Sequence, residues 1–403
     1  MKVLQLSTSL GGGAGIAARR LNSCLLEEGI DSRIMAIGKS GIILKNNEYL
    51  IKRNYLTKMK SSFNTYLQAH IVQNSSNLIT TNSISALKSI DNLLEYDIIH
   101  IHSTYNMFND NLLRDILKVK SNIFFTLHDQ RLFTGGCHYS FSCQRYESEC
   151  RKCPQVNTLF QSSVLSAHKR SITIFNEYSN IQIISPSTWL ANLARNSAVL
   201  SRNQIEVIPN PIPSPNRELS REFLRKKFGY NDENIVISFI AADLMNPNKG
   251  LLTLLKALQN MSEKERIKYR LVLIGKSKSL PILDYIKHNV INIFSENEMS
   301  ERLLAGDVVV VPSRIDNFPN VIGEALMSGS MVFGSNSGGV AEIMKTMIFP
   351  TYPVDDHNAL SSLITNFNYN YNREDIIKKA KLIYSYPAVA SKMQNLYIAK
   401  LNN

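Results

Sequence analysis

The sequence reads as an α/β protein built from two doubly wound parallel-sheet domains. Three observations carry that reading. Residues 308–339 run from an apolar stretch (308–311) through a Pro-Ser break and a polar loop (314–320) into a helical pattern (321–328). Gly329 stops the pattern, and a second β-like run (331–333) leads to Ser-Asn-Ser-Gly-Gly. Strand, loop, helix, strand is half of a doubly wound unit. The length, 403 residues, exceeds one ordinary core. The segment PNPIPSP at 209–215 is the strongest breaker in the chain. It divides a first domain, 1–212, from a second, 213–385. An amphipathic segment, 386–403, carries Val389, Met393, Leu396 and Tyr397 at helical spacing and is expected to pack back on the first domain.

The elements follow in order. Residues 3–7 form a buried strand, and Gly11, Gly12, Gly13 and Gly15 precede a helix over 16–28 that Gly29 ends. A strand at 33–37 comes next. Gly13-Ala-Gly15-Ile-Ala-Ala18 formally matches G-x-G-x-x-A, which raises a dinucleotide dehydrogenase. The acid that should hold the ribose is missing where that strand ends, at Gly38-Lys39, and Asp31 lies on its wrong side. A glycine loop that lets backbone approach a phosphate or a sugar is the better reading.

Residues 97–102 (DIIHIH) form a strand that puts His100 and His102 on one face. A His-x-His metal pair lacks an evident third ligand. The strand at 122–127 delivers His128-Asp129 to its carboxyl end, the edge at which open α/β sheets take ligands. A histidine there suits a sugar hydroxyl or proton transfer. Cys137, Cys143, Cys150 and Cys153 then place four of the five cysteines within seventeen residues, 137–153. In a reducing compartment they are a candidate structural zinc site that would pin a polar insertion, with disulfides or free thiols as the alternative. Cys24 falls in the first helix and reads as core. Strands at 181–185 and 205–208, joined by a helix at 188–198, complete the first domain.

In the second domain a helix from Glu218 leads to strands at 235–241, 271–275, 291–294 and 308–311. Asn248-Lys249-Gly250 opens a helix, which suits Lys249 to a diphosphate. In the 308–339 stretch Asn320 is the expected N-cap, Asp316 lies in the loop before the helix and Glu324 in its first turn. Acids beside a phosphate site are unfavourable unless they bind hydroxyls. The stretch therefore suggests a nucleotide-sugar site, with amides for diphosphate and carboxylates for ribose and sugar.

Composition narrows the class. Apolar content of 44% and charged content of 19% are those of a soluble globular protein. No run of about 18 apolar residues spans a membrane, and the amino-terminal run reads as a strand, so a cytoplasmic location is expected. The net charge of +12 suits phosphorylated ligands or an anionic membrane face better than nucleic acid, for which no motif exists. Lys45, Lys52, Arg53, Lys58 and Lys60, with an apolar pattern from Leu56 to Ile71, suggest an amphipathic helix. It would either cover the sheet or lie on anionic lipid at the inner membrane.

With both halves laid out, the chain resembles the retaining glycosyltransferases of family 4, which have the GT-B architecture of two Rossmann-like domains facing a cleft. The family carries Glu-x7-Glu where this sequence has Asp316-x7-Glu324 in DNFPNVIGEALMSG. The resemblance implies that Asp316 and the backbone around Asn317 and Phe318 hold the donor sugar, with Asn320 and Val321 beside them. Glu324 would hold the ribose, and Lys249 the phosphate, without the family's nearby Arg. Gly12 and Gly13 would lie near the donor phosphates, and His128 would be the active-site histidine. TLHDQRLFTGGCHY with its cysteines resembles a bacterial polysaccharide-building subset. The implied activity is transfer from a UDP- or GDP-sugar to a hydroxyl of a lipid-linked or growing polysaccharide (capsule, O-antigen or exopolysaccharide), with no cofactor required. The absence of any Asp-x-Asp fits charge stabilisation by lysine and helix ends. A nucleotide-sugar epimerase and a non-catalytic nucleotide-sugar scaffold are the alternatives.

Overall fold

The computed structural model describes residues 1–38, 43–44, 47–52, 59, 79–81, 85–87, 93–120, 122–178, 181–277, 279–292 and 295–402. The chain divides into two compact units, 1–211 with 389–403, and 212–388.

Unit 1 begins with β1 (Lys2–Ser7), α1 (Gly12–Glu27), β2 (Asp31–Gly38), β3 (Ile43–Leu44), β4 (Glu48–Lys52) and β5 (Ile98–Ile101). It continues through α2 (Asp110–Val119), β6 (Ile123–Thr126), α3 (Gln161–Glu177), β7 (Gln182–Ser185), α4 (Thr188–Arg195) and β8 (Gln204–Val207). The sheet order is β3-β4-β2-β1-β5-β6-β7-β8. Every pairing is parallel except β3 with β4. Strands β5, β6 and β7 are buried along their whole length, as strands covered on both faces must be. The strand order reverses between β1 and β5, so their carboxyl ends open the natural crevice of this sheet.

Unit 2 contains α5 (Arg221–Lys227), β9 (Ile235–Asp243), α6 (Leu251–Gln259), β10 (Tyr269–Lys276), β11 (His288–Ile291), α7 (Glu296–Ala305) and β12 (Val308–Val311). After these come α8 (Asn320–Met327), β13 (Met331–Ser335), α9 (Gly338–Met347), β14 (Thr351–Tyr352), α10 (His357–Asn366) and α11 (Arg373–Tyr384). The sheet order is β11-β10-β9-β12-β13-β14, all parallel. Here the reversal falls between β9 and β12. Asp307, just before β12, accepts from Val236 N (2.8 Å) and from Arg225 (3.1 Å). Arg225 is 4% exposed, and this pairing satisfies a buried cation while fixing the entry to β12 against β9.

The last helix, α12 (Tyr386–Leu401), buries Val389, Ala390, Met393 and Tyr397. From Val389 onward it belongs to unit 1.

Several boundaries differ from the sequence reading. The glycines Gly12 and Gly13 are not a loop ahead of the first helix. They form its first turn, with Gly11 at the N-cap position. Asp31 opens β2 and does not precede it, and it still lies at the end opposite the crevice. The basic stretch expected to form a helix includes strand β4, paired parallel with β2. The remainder of that stretch, 53–58 and 60–71, lies outside the described residues, as do 293–294 at the end of the expected third strand of the second domain.

Candidate functional site

The site-bearing loops of unit 2 leave the sheet where its strand order reverses. Lys249 follows β9 and Asp316 follows β12, and their side chains form an ion pair, Nζ to Oδ2. The loop geometry explains why they meet. Residues Pro247–Lys249 make a single 3-10 turn, with Asn246 Oδ1 accepting from Asn248 N. Gly250 then turns into α6 at φ +74°, and a Cβ there would lie 2.0 Å from Pro312 O. Only glycine lets this turn press against the end of β12. Arg314 N donates to Asn248 O (2.8 Å) and locks the two loops together.

A third loop seals the arrangement. Gly339 N donates to Asp316 O (2.9 Å), and a Cβ on Gly339 would lie 1.5 Å from Asn317 O. The start of α9 thus sits directly on the 316–317 backbone. Asp316 and Asn317 are 7% and 2% exposed, and the Lys249 side chain is 36% exposed. The pair is therefore a buried carboxylate holding a half-exposed cation.

Two expectations change here. Asn320 is not the N-cap. It is the first helical residue, and Pro319 occupies the cap position, where no side chain accepts a bond. Glu324 lies in the second turn of α8, and the first turn carries no acid. Its first-turn amides therefore face no carboxylate of their own helix. Phe318 points its ring into the unit 2 core, edge-on to Tyr384 at 5.6 Å, so its backbone alone is available to a ligand. Val321 and Glu324 are half-buried.

In unit 1 a cavity of about 130 Å³ lies beyond the carboxyl ends of β5 and β6. His102, Tyr105, His128, Asp129, Arg131 and Arg170 are among its lining. Asp129 and Arg131 form a two-pronged pair at 2.9 and 3.0 Å. Burial raises the Asp129 carboxyl, but Arg131 and His138 beside it outweigh that and hold it down at about 2. Burial is also the main reason that His128 is pushed down to about 4, so it stays a neutral imidazole. His128 Nε2 lies 3.0 Å from His102 Nδ1, and His102 Nε2 lies 2.7 Å from Gln5 Oε1. His100 stacks on His102 at 4.5 Å and is held by Tyr397 Oη (2.6 Å) and Thr126 Oγ1 (2.7 Å). The sequence places His100, His102 and His128 near one edge. It does not reveal Gln5 or Tyr397 as their partners. The one signal for Gln5 was an amide flanked by apolar residues in the strand KVLQLS, since a buried amide needs a partner. Gly12 and Gly13 are exposed at the start of α1.

Cys137, Cys143, Cys150 and Cys153 all line one small cavity of unit 1. Cys137 bridges to Ile79, and Cys150 N donates to His168 Nδ1 (3.2 Å). As placed, however, no three His, Cys, Asp or Glu side chains among the described residues form a set that could hold a metal ion. All four are free thiols, as is the buried Cys24.

Residues 220–382 match the family described as Glycosyl transferases group 1. The second unit carries a glycosyl transferases group 1 domain. The enzyme class expected from the sequence, a glycosyltransferase, stands on that domain and on the chain's relatives. The chain is 24% identical over 364 residues to the putative colanic acid biosynthesis glycosyl transferase WcaC of Escherichia coli K12. That match covers 86% of this chain and 85% of WcaC. Among solved structures, it is similar to sucrose-phosphate synthase from Thermosynechococcus elongatus, with a TM-score of 0.66 at 15% identity, covering 99% and 98% of the two chains. It is also similar to Anabaena HepE in complex with UDP and glucose, with a TM-score of 0.62 at 13% identity, covering 99% and 100%. The fold is GT-B, two parallel-sheet α/β units. Among the described residues no helix is long and apolar enough to cross a membrane.

Proposed function

We propose that the protein is a retaining, metal-independent glycosyltransferase of family 4. It moves a sugar from a UDP- or GDP-sugar to a hydroxyl of a lipid-linked or growing surface polysaccharide, working at the cytoplasmic face of the inner membrane. The observation that carries this reading is the Lys249–Asp316 pair at the strand-order reversal of unit 2. A diphosphate entering there would take over the Lys249 ammonium, and the Asp316 carboxylate so released would accept a sugar hydroxyl. Glu324 is the proposed ribose ligand, and His128 the proposed active-site residue of unit 1. The solved HepE complex with UDP and glucose supports a nucleotide-sugar donor, and the WcaC likeness supports a polysaccharide acceptor. We also propose that Cys137, Cys143, Cys150 and Cys153, which line one cavity but are not placed as a ligand set, would draw together around a structural zinc ion that takes no part in the chemistry.

The test is nucleotide release from a panel of UDP- and GDP-sugars, with and without a lipid-linked saccharide acceptor. Acceptor-dependent release with retained anomeric configuration is expected. Release from no donor in the presence of acceptor overturns the reading. Conversion of the nucleotide-sugar itself without acceptor would reassign the protein as an epimerase.

A further inference from the structure

We propose that Gln5 and His102 are positioning residues that fix His128 as a single tautomer, with the proton on Nε2 and the lone pair on Nδ1. The inference rests on the reading of His128 as an active-site residue. It begins with Gln5, fully buried on β1, whose Oε1 lies 2.7 Å from His102 Nε2. An amide oxygen only accepts, so His102 carries its proton on Nε2. A neutral imidazole has one N–H, which makes His102 Nδ1 an acceptor. Its partner at 3.0 Å is His128 Nε2, so that nitrogen donates. His128 Nδ1 is then the accepting atom of the ring.

The surroundings hold this arrangement still. Burial keeps both rings neutral, which preserves one donor and one acceptor on each. The His100 ring lies parallel to His102 within 18° and is itself clamped between Tyr397 and Thr126. His102 therefore cannot rotate without breaking a stack and two hydrogen bonds.

The consequence is chemical selectivity. A histidine that presents a lone pair takes a hydroxyl hydrogen, whereas an N–H would be needed to bind a phosphate oxygen. A lone pair on Nδ1 therefore suits a hydrogen donor such as a sugar hydroxyl and not the diphosphate. This follows a general pattern in which an outer partner sets which ring nitrogen is protonated.

The experiment uses the full chain labelled with 15N at histidine, and reads the tautomer of His128 from long-range 1H–15N correlations. The wild-type protein should show His128 protonated on Nε2. Gln5→Leu and His102→Phe should each give a mixture of tautomers, while Gln5→Glu, which keeps an acceptor at His102 Nε2, should restore the single form. With whichever donor the wild type turns over, Gln5→Leu should lower the turnover number about tenfold with the donor KM changed by less than about twofold. A wild-type proton on Nδ1, a tautomer indifferent to both substitutions, or unchanged turnover despite a shifted tautomer overturns the inference. The wild-type spectrum decides the first point even if a variant fails to fold. Absence of turnover with every donor refutes the glycosyltransferase reading but leaves the tautomer result standing.

Discussion

At the scale of single residues, the site of unit 2 turns on an exchange of partners. Lys249 and Asp316 neutralise each other before any ligand arrives. Lys249→Arg keeps the cation, while Glu324→Ala removes the proposed ribose acceptor altogether. A hydrogen bond to a charged group contributes about 1.5–3 kcal/mol, so Glu324→Ala should weaken donor binding about tenfold or more, and Lys249→Arg by less. Titration calorimetry with UDP, GDP and their sugars measures both. Near-wild-type affinity in the two variants alike would remove Glu324 and Lys249 from the donor site. Lys249, Asp316 and Glu324 were legible because their loops follow apolar runs that could only be strands. The Lys249–Asp316 bond itself was not. It depends on Gly250 and Gly339 bringing three separate loops together, and 67 residues separate its partners.

At the scale of elements, the strands were easier to see than the helix starts. Buried runs such as VVVV at 308–311 have no competing reading as a long helix. Glycine is a poor helix former, so Gly12 and Gly13 argued against the helix that in fact begins there. At α8 an asparagine next to a proline looked like a cap, yet the chain enters the helix one residue earlier. Strand β4 was hidden by the basic residues around it. The insertion at 137–153 is the element whose stability the fold explains least, since one short 3-10 turn (Arg145–Glu147) and loops make up most of it. A zinc ion held by Cys137, Cys143, Cys150 and Cys153 would tie the insertion together. Elemental analysis of purified protein should find one zinc per chain, and a chelator should lower the melting temperature. Zinc-free protein whose melting temperature does not respond to added zinc would exclude the site.

At the scale of the whole molecule, the two units differ in how they meet acid. Unit 1 contains His100, His128 and His138, pushed down to about 3, 4 and 4, mainly by burial, from an ordinary value of 6.5. The unfolded chain takes up these protons at a higher pH than the folded one does. Their stabilising contribution is therefore complete above about pH 6.5 and is lost as pH falls toward the folded values. By pH 5.5 the loss is on the order of 1 kcal/mol per histidine. Hydrogen exchange followed by mass spectrometry at pH 7.5 and 5.5, corrected for intrinsic rates, should show unit 1 peptides losing protection while unit 2 peptides hold theirs. Equal loss in both units would show that the buried histidines do not set the acid response. The two-unit division has a further consequence, this time for synthesis. Val389, Ala390, Met393 and Tyr397 are 0–1% exposed in unit 1, yet they are translated after all of unit 2. At about 5–20 residues per second, unit 1 waits many seconds at the ribosome with its core open and His100 without its tyrosine. The half of the molecule that is made first is the half that is finished last.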